Sequence, residues 1–435
     1  MKRYAVVLSL CALACAREVR PAAQPVPAIA PEELETRLFL IGDAGKPAPG
    51  GEPVLAALSR QIALDPGKSF VVFLGDNVYP RGMAPKDSPR RPQDERRLSD
   101  QLDVLLRSRV PGILVPGNHD WAKHTRGGES SIRAQQEFVR QHVDSFSRAA
   151  GYSRAYADSG LMLLPGAACP GPAVRDLGRH LRLLALDTQW WLHPRKHPRS
   201  GERECPRDGT EKQVEDSIIA ALNTAGPRDV VVVAHHPMLS GGEHGGFFDW
   251  KQHLFPLTVL RRWLLVPLPV LGSIVPLTRE AGYSPQDLSS HANCRMRAMF
   301  DSAFAVHRPL LYAAGHDHGL QVFRGGGAHY SLVSGGGVYG HTGAVTRRPT
   351  TLLAMRASGF MRLDVVAGTG RERLSVFTVD ASGAAQEVYS LWLDKANAPT
   401  DSPNLVCATL SSPEPSGGRA LLEHGSGIPA PRVNP

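Results

Sequence analysis

Five short blocks set oxygen and imidazole donors beside glycine or a hydrophobic run: Gly42-Asp43-Ala44-Gly45, Gly75-Asp76-Asn77-Val78-Tyr79, Gly117-Asn118-His119-Asp120, Val232-Val233-Ala234-His235 and Gly315-His316-Asp317-His318. Taken singly, a Gly-Asp pair is a turn or a helix cap, and a loop histidine is ordinary. Taken in order, the blocks supply carboxylate, phenol, amide and imidazole groups. Carboxylate and phenolate are hard anionic donors suited to a trivalent ion, whereas amide and imidazole suit a divalent one.

These donors must be held by elements that bring them together. Each block closes a short apolar run: Leu38 to Ile41, Phe70 to Leu74, Gly112 to Val115, Val230 to Val233 and Leu310 to Ala314. Such runs predict buried strands. Helices are expected over Pro53 to Leu64 and Asp94 to Leu106, so the first half is a series of strand-helix units with a largely parallel sheet. Groups placed just after the C-terminal ends of parallel strands converge on one rim. Beyond Gly319 the pattern changes to strands with little helix: Gln321 to Phe323, Tyr330 to Val333, Phe360 to Val366, Leu374 to Val379 and Glu387 to Leu393. They are expected to form a second sheet packed on the first.

The ordered set GDxG, GDxxY, GNH followed by an acid, VxxH and GHxH resembles the purple acid phosphatase branch of the calcineurin-like metallophosphoesterases. Gly45 matters to the resemblance, because most other branches place a metal-binding histidine there and Tyr79 supplies the replacement. The resemblance implies an α/β fold, a four-layer αββα sandwich of the metallophosphoesterase type. It also implies two metal ions. Asp43, Tyr79 and His318 would hold one, usually ferric iron, Asp76 would bridge, and Asn118, His235 and His316 would hold a divalent iron, zinc or manganese. His235 rather than its neighbour His236 fits the VxxH spacing, which leaves His236 to packing. His119 and His244 match the substrate-side histidines that serve the phosphate or the leaving group. Asp120 either orients His119 or is an exposed turn carboxylate.

The implied reaction is hydrolysis of a small-molecule phosphate ester, most simply a phosphomonoester. A phosphodiesterase or nucleotidase on the same metals is the alternative enzyme, and a catalytically silent surface-binding lipoprotein is the alternative of another class. The chain has neither a P-loop nor a Gly-x-Ser-x-Gly elbow, so nucleotide-triphosphatase and serine-hydrolase chemistry lack their residues.

The remaining features concern location and shape. With 42% hydrophobic and 21% charged residues, the 435-residue chain has the balance of a folded protein. The net charge of +8 is scattered without an aromatic-interleaved basic stripe, so no nucleic acid is expected. Residues 1–15 begin Met1-Lys2-Arg3, continue apolar and end Ala12-Leu13-Ala14-Cys15, the layout of an export signal with a lipobox-like end. This predicts an exported lipoprotein, membrane-attached through a lipid on Cys15, or else a periplasmic or secreted protein. Residues 16–36 are expected to be a tether, 37–395 the catalytic domain and 396–435 a Pro/Ser/Gly-rich tail. Once Cys11 leaves with the signal and Cys15 is acylated, Cys169, Cys205, Cys294 and Cys407 remain, with three possible pairings. A long insert over 246–300 carries the apolar, proline-broken stretch Trp263 to Leu271. It admits two readings, a buried subdomain or an apolar lid touching substrate or membrane.

Overall fold

The computed structural model describes residues 18–19, 25–125, 127–193, 205, 210–259, 264–268 and 271–396. The leader, Cys11, Cys15, Cys407, residues 16, 17 and 20–24 of the tether, the tail beyond 396, Trp263 and 269–270 lie outside the described residues. In chain order the strands are β1 (Leu34–Ile41), β2 (Ser69–Phe73), β3 (Gly112–Leu114), β4 (Leu161–Leu163), β5 (Ala173–Leu177), β6 (Leu181–Ala185), β7 (Asp229–Val233), β8 (Leu311–Ala314), β9 (Leu320–Arg324), β10 (Tyr330–Ser334), β11 (Thr351–Met355), β12 (Gly359–Val366), β13 (Glu372–Val379) and β14 (Ala385–Trp392).

They form two sheets, ordered β14-β13-β12-β1-β2-β3-β4 and β11-β9-β10-β8-β7-β6-β5. The pairs β1–β2, β2–β3 and β3–β4 are parallel, as are β6–β7, β7–β8 and β8–β10. Alternate residues sort into layers. Leu38 and Leu40 of β1 meet Leu183, Val231, Ala313 and Val322 between the sheets. Phe39 and Ile41, pointing the other way, pack with Val71 and Phe73 under the helices Pro53–Ile62, Arg91–Ser108 and Gly128–Ala149. On the far side Val232 and Tyr312 pack against Ile218 and Leu222 of the helix Glu211–Asn223 and Phe300 and Phe304 of the helix His291–Val306. The result is the four-layer αββα sandwich. Buried on both faces, the central strands read as continuous apolar runs rather than alternating ones.

One expectation is corrected. The strands beyond Gly319 do not make a sheet of their own: β9, β10 and β11 extend the sheet of β6, β7 and β8, whereas β12, β13 and β14 cross to the first sheet. A cross-strand charge pair marks the seam between β12 and β1. Arg37 on β1 stands opposite Asp364 on β12, with Nε 2.8 Å from Oδ1 in a buried ion pair. Opposed charges of this kind fix register as well as pairing.

Of the four cysteines expected in the mature chain, Cys169 and Cys205 form a disulfide with Cα atoms 5.7 Å apart. Cys294 is disulfide-bonded as well. Part of the insert is buried: Asp287, Leu288, Met296 and Phe300 lie in the outer helical layer, whereas Leu271, Ile274, Val275 and Leu277, near its middle, are each more than half exposed. No helix of the described residues is long and apolar enough to cross a membrane.

Candidate metal centre

The donor-bearing turns sit at the C-terminal ends of β1, β2 and β3 in one sheet and of β7 and β8 in the other. The backbone there leaves ordinary conformations. Asp43, Asp76 and His316 have φ of +60°, +57° and +72°, values that cost a non-glycine residue about 1–3 kcal/mol. Hydrogen bonds over-determine them: Asp43 N donates to Gly75 O at 3.0 Å, Gly45 N to Asp76 O at 3.0 Å, and His316 N to Asp43 Oδ2 at 2.8 Å. Gly75, at φ +90°, is required for a second reason. A Cβ on it would lie 2.5 Å from Nδ1 of His235.

Two donor sets emerge, meeting at Asp76. In the first, Tyr79 Oη lies 3.0 Å from Asp43 Oδ1 and 3.1 Å from His318 Nε2. In the second, His235 Nε2 lies 3.0 Å from Asn118 Oδ1, 3.2 Å from His316 Nδ1 and 3.4 Å from Asp76 Oδ1. His235 Nδ1 donates to the carbonyl of Leu74 at 2.9 Å, which leaves the Nε2 lone pair facing the cluster. Donor atoms of Asp43, Asp76 and His235 all fall within 4.8 Å of one another.

The chemistry of the cluster fits cations. Burial and the carboxylates of Asp43 and Asp76 push the Tyr79 phenol well above its ordinary range. Burial opposes charge on Asp76, yet the imidazoles of His235 and His119 hold its carboxyl down, to about 2. His235 is raised by Asp76 and Asp43 against the effect of its burial, while burial and the neighbouring His244, His236 and His235 hold His316 well below its usual value. Buried carboxylates, a phenol and imidazoles packed this closely suit a positive charge among them. His316 Nε2 is also buried without a hydrogen-bond partner among the described residues.

His236 meets the same cluster, but both its nitrogens are taken, Nδ1 by Thr188 Oγ1 at 2.8 Å and Nε2 by Gln286 Oε1 at 2.7 Å. These bonds hold the ring in the packing of the cluster, although His235, His236 and His316 together form a group close enough to hold an ion. His119 stands over Tyr79, ring centroids 4.2 Å apart, with Nδ1 donating to Pro80 O at 2.7 Å and Nε2 3.7 Å from Asp76 Oδ2. His244 lies against His316, centroids 3.7 Å apart. Its Nδ1 is 3.0 Å from Asp287 Oδ1 and 2.7 Å from Arg279 Nη2, leaving Nε2 as the free nitrogen of the ring.

Neither expectation for Asp120 holds. Its carboxylate is fully buried and accepts from Asn77 N, Asn77 Nδ2 and Gly117 N at 3.0, 3.0 and 2.8 Å and from Val78 N at 3.0 Å. It ties the second and third blocks together, and Pro80 orients His119 instead. His341 escaped the sequence reading. Its ring lies 4.1 Å from that of His318 and 5.6 Å from that of Tyr79, and Nδ1 has no hydrogen-bond partner among the described residues. Burial and His318 push it down, to about 4. The available signal was a histidine in the glycine-rich loop after β10, Gly335 to Gly340.

No curated protein matches the chain. Among solved structures it is similar to GAP50, the anchor in the inner membrane complex of Plasmodium, at 15% identity over 89% of this chain and 99% of that one, with a TM-score of 0.47. The model of the calcineurin-like phosphoesterase family matches residues 36–270, and β8 lies beyond that stretch, carrying His316 and His318 to the same rim. By that match, which spans more than half of its length, the chain belongs to the calcineurin-like phosphoesterase family.

Proposed function

We propose that the protein is a phosphomonoesterase of the purple acid phosphatase-like kind, with ferric iron in the set Asp43, Tyr79 and His318, a divalent iron, zinc or manganese in the set Asn118, His235 and His316, and Asp76 between them. The observation that carries this reading is the exchange of Gly45 for Tyr79. A Cβ on Gly45 would stand 2.2 Å from the Asn77 carbonyl carbon, so this backbone has no room for a ligand side chain there, and the Tyr79 phenol lies instead on Asp43 and His318.

A cation pair so held supplies Lewis acidity toward phosphate oxygens and offsets the charge of in-line displacement. The protein's own groups bind and move protons. The His119 N–H fixes Asp76 Oδ1 at 2.8 Å. With Nδ1 given to Pro80 O, His119 presents Nε2 to the site. As a water oxygen bonds to phosphorus and the P–O bond to the leaving group breaks, His119, protonated on Nε2 and assisted by His244, delivers that proton to the departing oxygen. The leader motif supports export, with attachment through a lipid on Cys15.

Metal content measured together with hydrolysis of an aryl phosphate tests the reading. Oxidised, iron-loaded protein should be coloured by charge transfer from the Tyr79 phenolate, and Tyr79→Phe should lose the band yet keep the divalent ion. Two zinc ions and no iron in protein purified without added metal would remove the ferric assignment. Failure of metal-loaded protein to cleave any phosphate ester would replace the enzyme by a binding protein.

A further inference from the structure

The exposed large hydrophobic residues are not scattered. Of the twelve among the described residues, eight lie between Trp250 and Tyr283. In the helix Ile274–Glu280, Ile274, Val275 and Leu277 are 51, 55 and 57% exposed, while Pro276 is buried and Arg279 turns inward to Asp287 and His244. The turn before it, carrying exposed Leu271, packs on the helix Trp250–Leu254: a Cβ on Gly272 would touch His253 O, and His253 Nδ1 pairs with Ser273 Oγ at 3.1 Å. Trp250, itself half exposed, has Lys251 over its ring at 5.8 Å. Exposed aliphatic side chains gathered in one segment, with a tryptophan and a lysine beside them, have the composition of a surface that enters the headgroup boundary of a bilayer.

The start of the described chain is tied to the same segment. Val19 pairs with Ala354 beside β11, and Glu18 Oε1 accepts from Arg356 N at 3.3 Å. Arg356 Nη1 in turn lies 3.6 Å from Asp249 Oδ2, and Asp249 caps the helix that begins at Trp250. Two residues stand between Cys15 and Glu18, a span of no more than about 11 Å of extended chain. A lipid on Cys15 would therefore hold this edge against the membrane.

We infer that the face made by Trp250, Leu271, Ile274, Val275, Leu277 and Tyr283 docks on a lipid bilayer. The insert begins directly after His244, and its Gln252 donates to Glu243 at 2.8 Å, so docking brings the metal-site rim to the headgroups, within reach of phosphate esters carried by amphiphiles. The choice of a bilayer over a protein partner rests on the export reading above, whereas the test does not use the lipid on Cys15. The chain from residue 15 onward, carrying Cys15→Ser and loaded with metal, is mixed with vesicles of phosphatidylethanolamine and phosphatidylglycerol and sedimented at low and high salt. The parent should partition onto vesicles and largely stay bound at high salt. Ile274→Glu with Leu277→Glu should weaken partition by about tenfold per side chain, as expected from the transfer of aliphatic groups. Trp250→Ala gives an independent, smaller loss. Aryl phosphate hydrolysis should be unchanged in all of them, which checks the fold and separates this proposal from the catalytic one. Parent protein left in the supernatant, equal binding by the variants, binding that salt abolishes, or a parent oligomer that the variants dissociate would each overturn the proposal.

Discussion

At the residue scale, Asp76 and His119 are neighbours with different duties. Asp76 Oδ1 is 3.4 Å from His235 Nε2, and its carboxylate also lies beside Tyr79, so removing it opens both donor sets at once. His119 reaches the site only through its ring, because the backbone N–H that holds Asp76 is present whatever the side chain. Asp76→Ala should therefore lose metal and activity together, in proportion, by elemental analysis. His119→Ala should keep its metal and lose about 100- to 10,000-fold in rate on alkyl phosphates, whose leaving groups need a proton, and much less on activated aryl phosphates. Equal losses on the two substrates, or a metal-free His119→Ala, would show that the ring serves the structure instead. Asp120 illustrates how such duties stay hidden in a sequence. One residue from a histidine it looks like that histidine's partner, but its acceptor atoms face two backbone N–H groups of the second block and one of its own turn.

At the scale of elements, the site is a set of strand ends whose turns have left ordinary backbone space. Gly75 shows the constraint most sharply, since its φ is left-handed and the His235 ring occupies the volume of a side chain. Gly75→Ala, a single methyl, should lower stability by about 1–3 kcal/mol and weaken metal binding. An unchanged melting temperature and full metal occupancy would refute that account. The strand ends were legible because a buried parallel strand is a continuous apolar run that stops at glycine and a polar residue, as at Phe70 to Asp76. Less was legible where that signal fails. β4 is only three residues long, β5 is half-buried and alternates, and β12 to β14 join the first sheet through a long-range pairing of β12 with β1 that no local pattern announces. His341 was missed for a related reason, lying in a loop set by β10 rather than directly at a strand end.

A second element-scale consequence concerns Glu372, on β13 of the first sheet, beside Asp229, on β7 of the second. Burial and the Asp229 carboxylate push Glu372 from its ordinary 4.5 up to about 9, while Lys395 pairs with Asp229 at 2.5 Å. A carboxyl that keeps its proton in the fold but loses it in the unfolded chain favours the fold fully below pH 4.5. That advantage declines as pH rises toward 9. Glu372→Gln keeps an uncharged side chain at every pH. Its melting temperature should match the parent's near pH 5 and exceed it near pH 8, by calorimetry. Parallel pH profiles for the two proteins would show that the pair of carboxyls does not share this seam as argued.

At the scale of the whole molecule, the two sheets touch across a core of aliphatic side chains and meet again at the metal-site rim. Asp43, Asp76, Tyr79 and Asn118 follow strands of the first sheet, His235, His316 and His318 strands of the second. Cations bound there would cross-link the layers. Without them the same contacts crowd buried carboxylates and imidazoles whose charges lack compensation. Metal binding should therefore appear as global stability. A ligand present at about 100 times its dissociation constant stabilises the native state by about 2.7 kcal/mol, which for a domain of this size is a rise of several degrees in melting temperature. Chelation should lower the melting temperature by that amount and return of metal should restore it, while Asp76→Ala should melt at the chelated value with or without chelator. The insert face lies outside the cross-link, so Ile274→Glu should respond to chelator as the parent does. If protein stripped of metal, verified by elemental analysis, melts with the loaded form, the rim does not join the sheets and their packing stands on the aliphatic core alone.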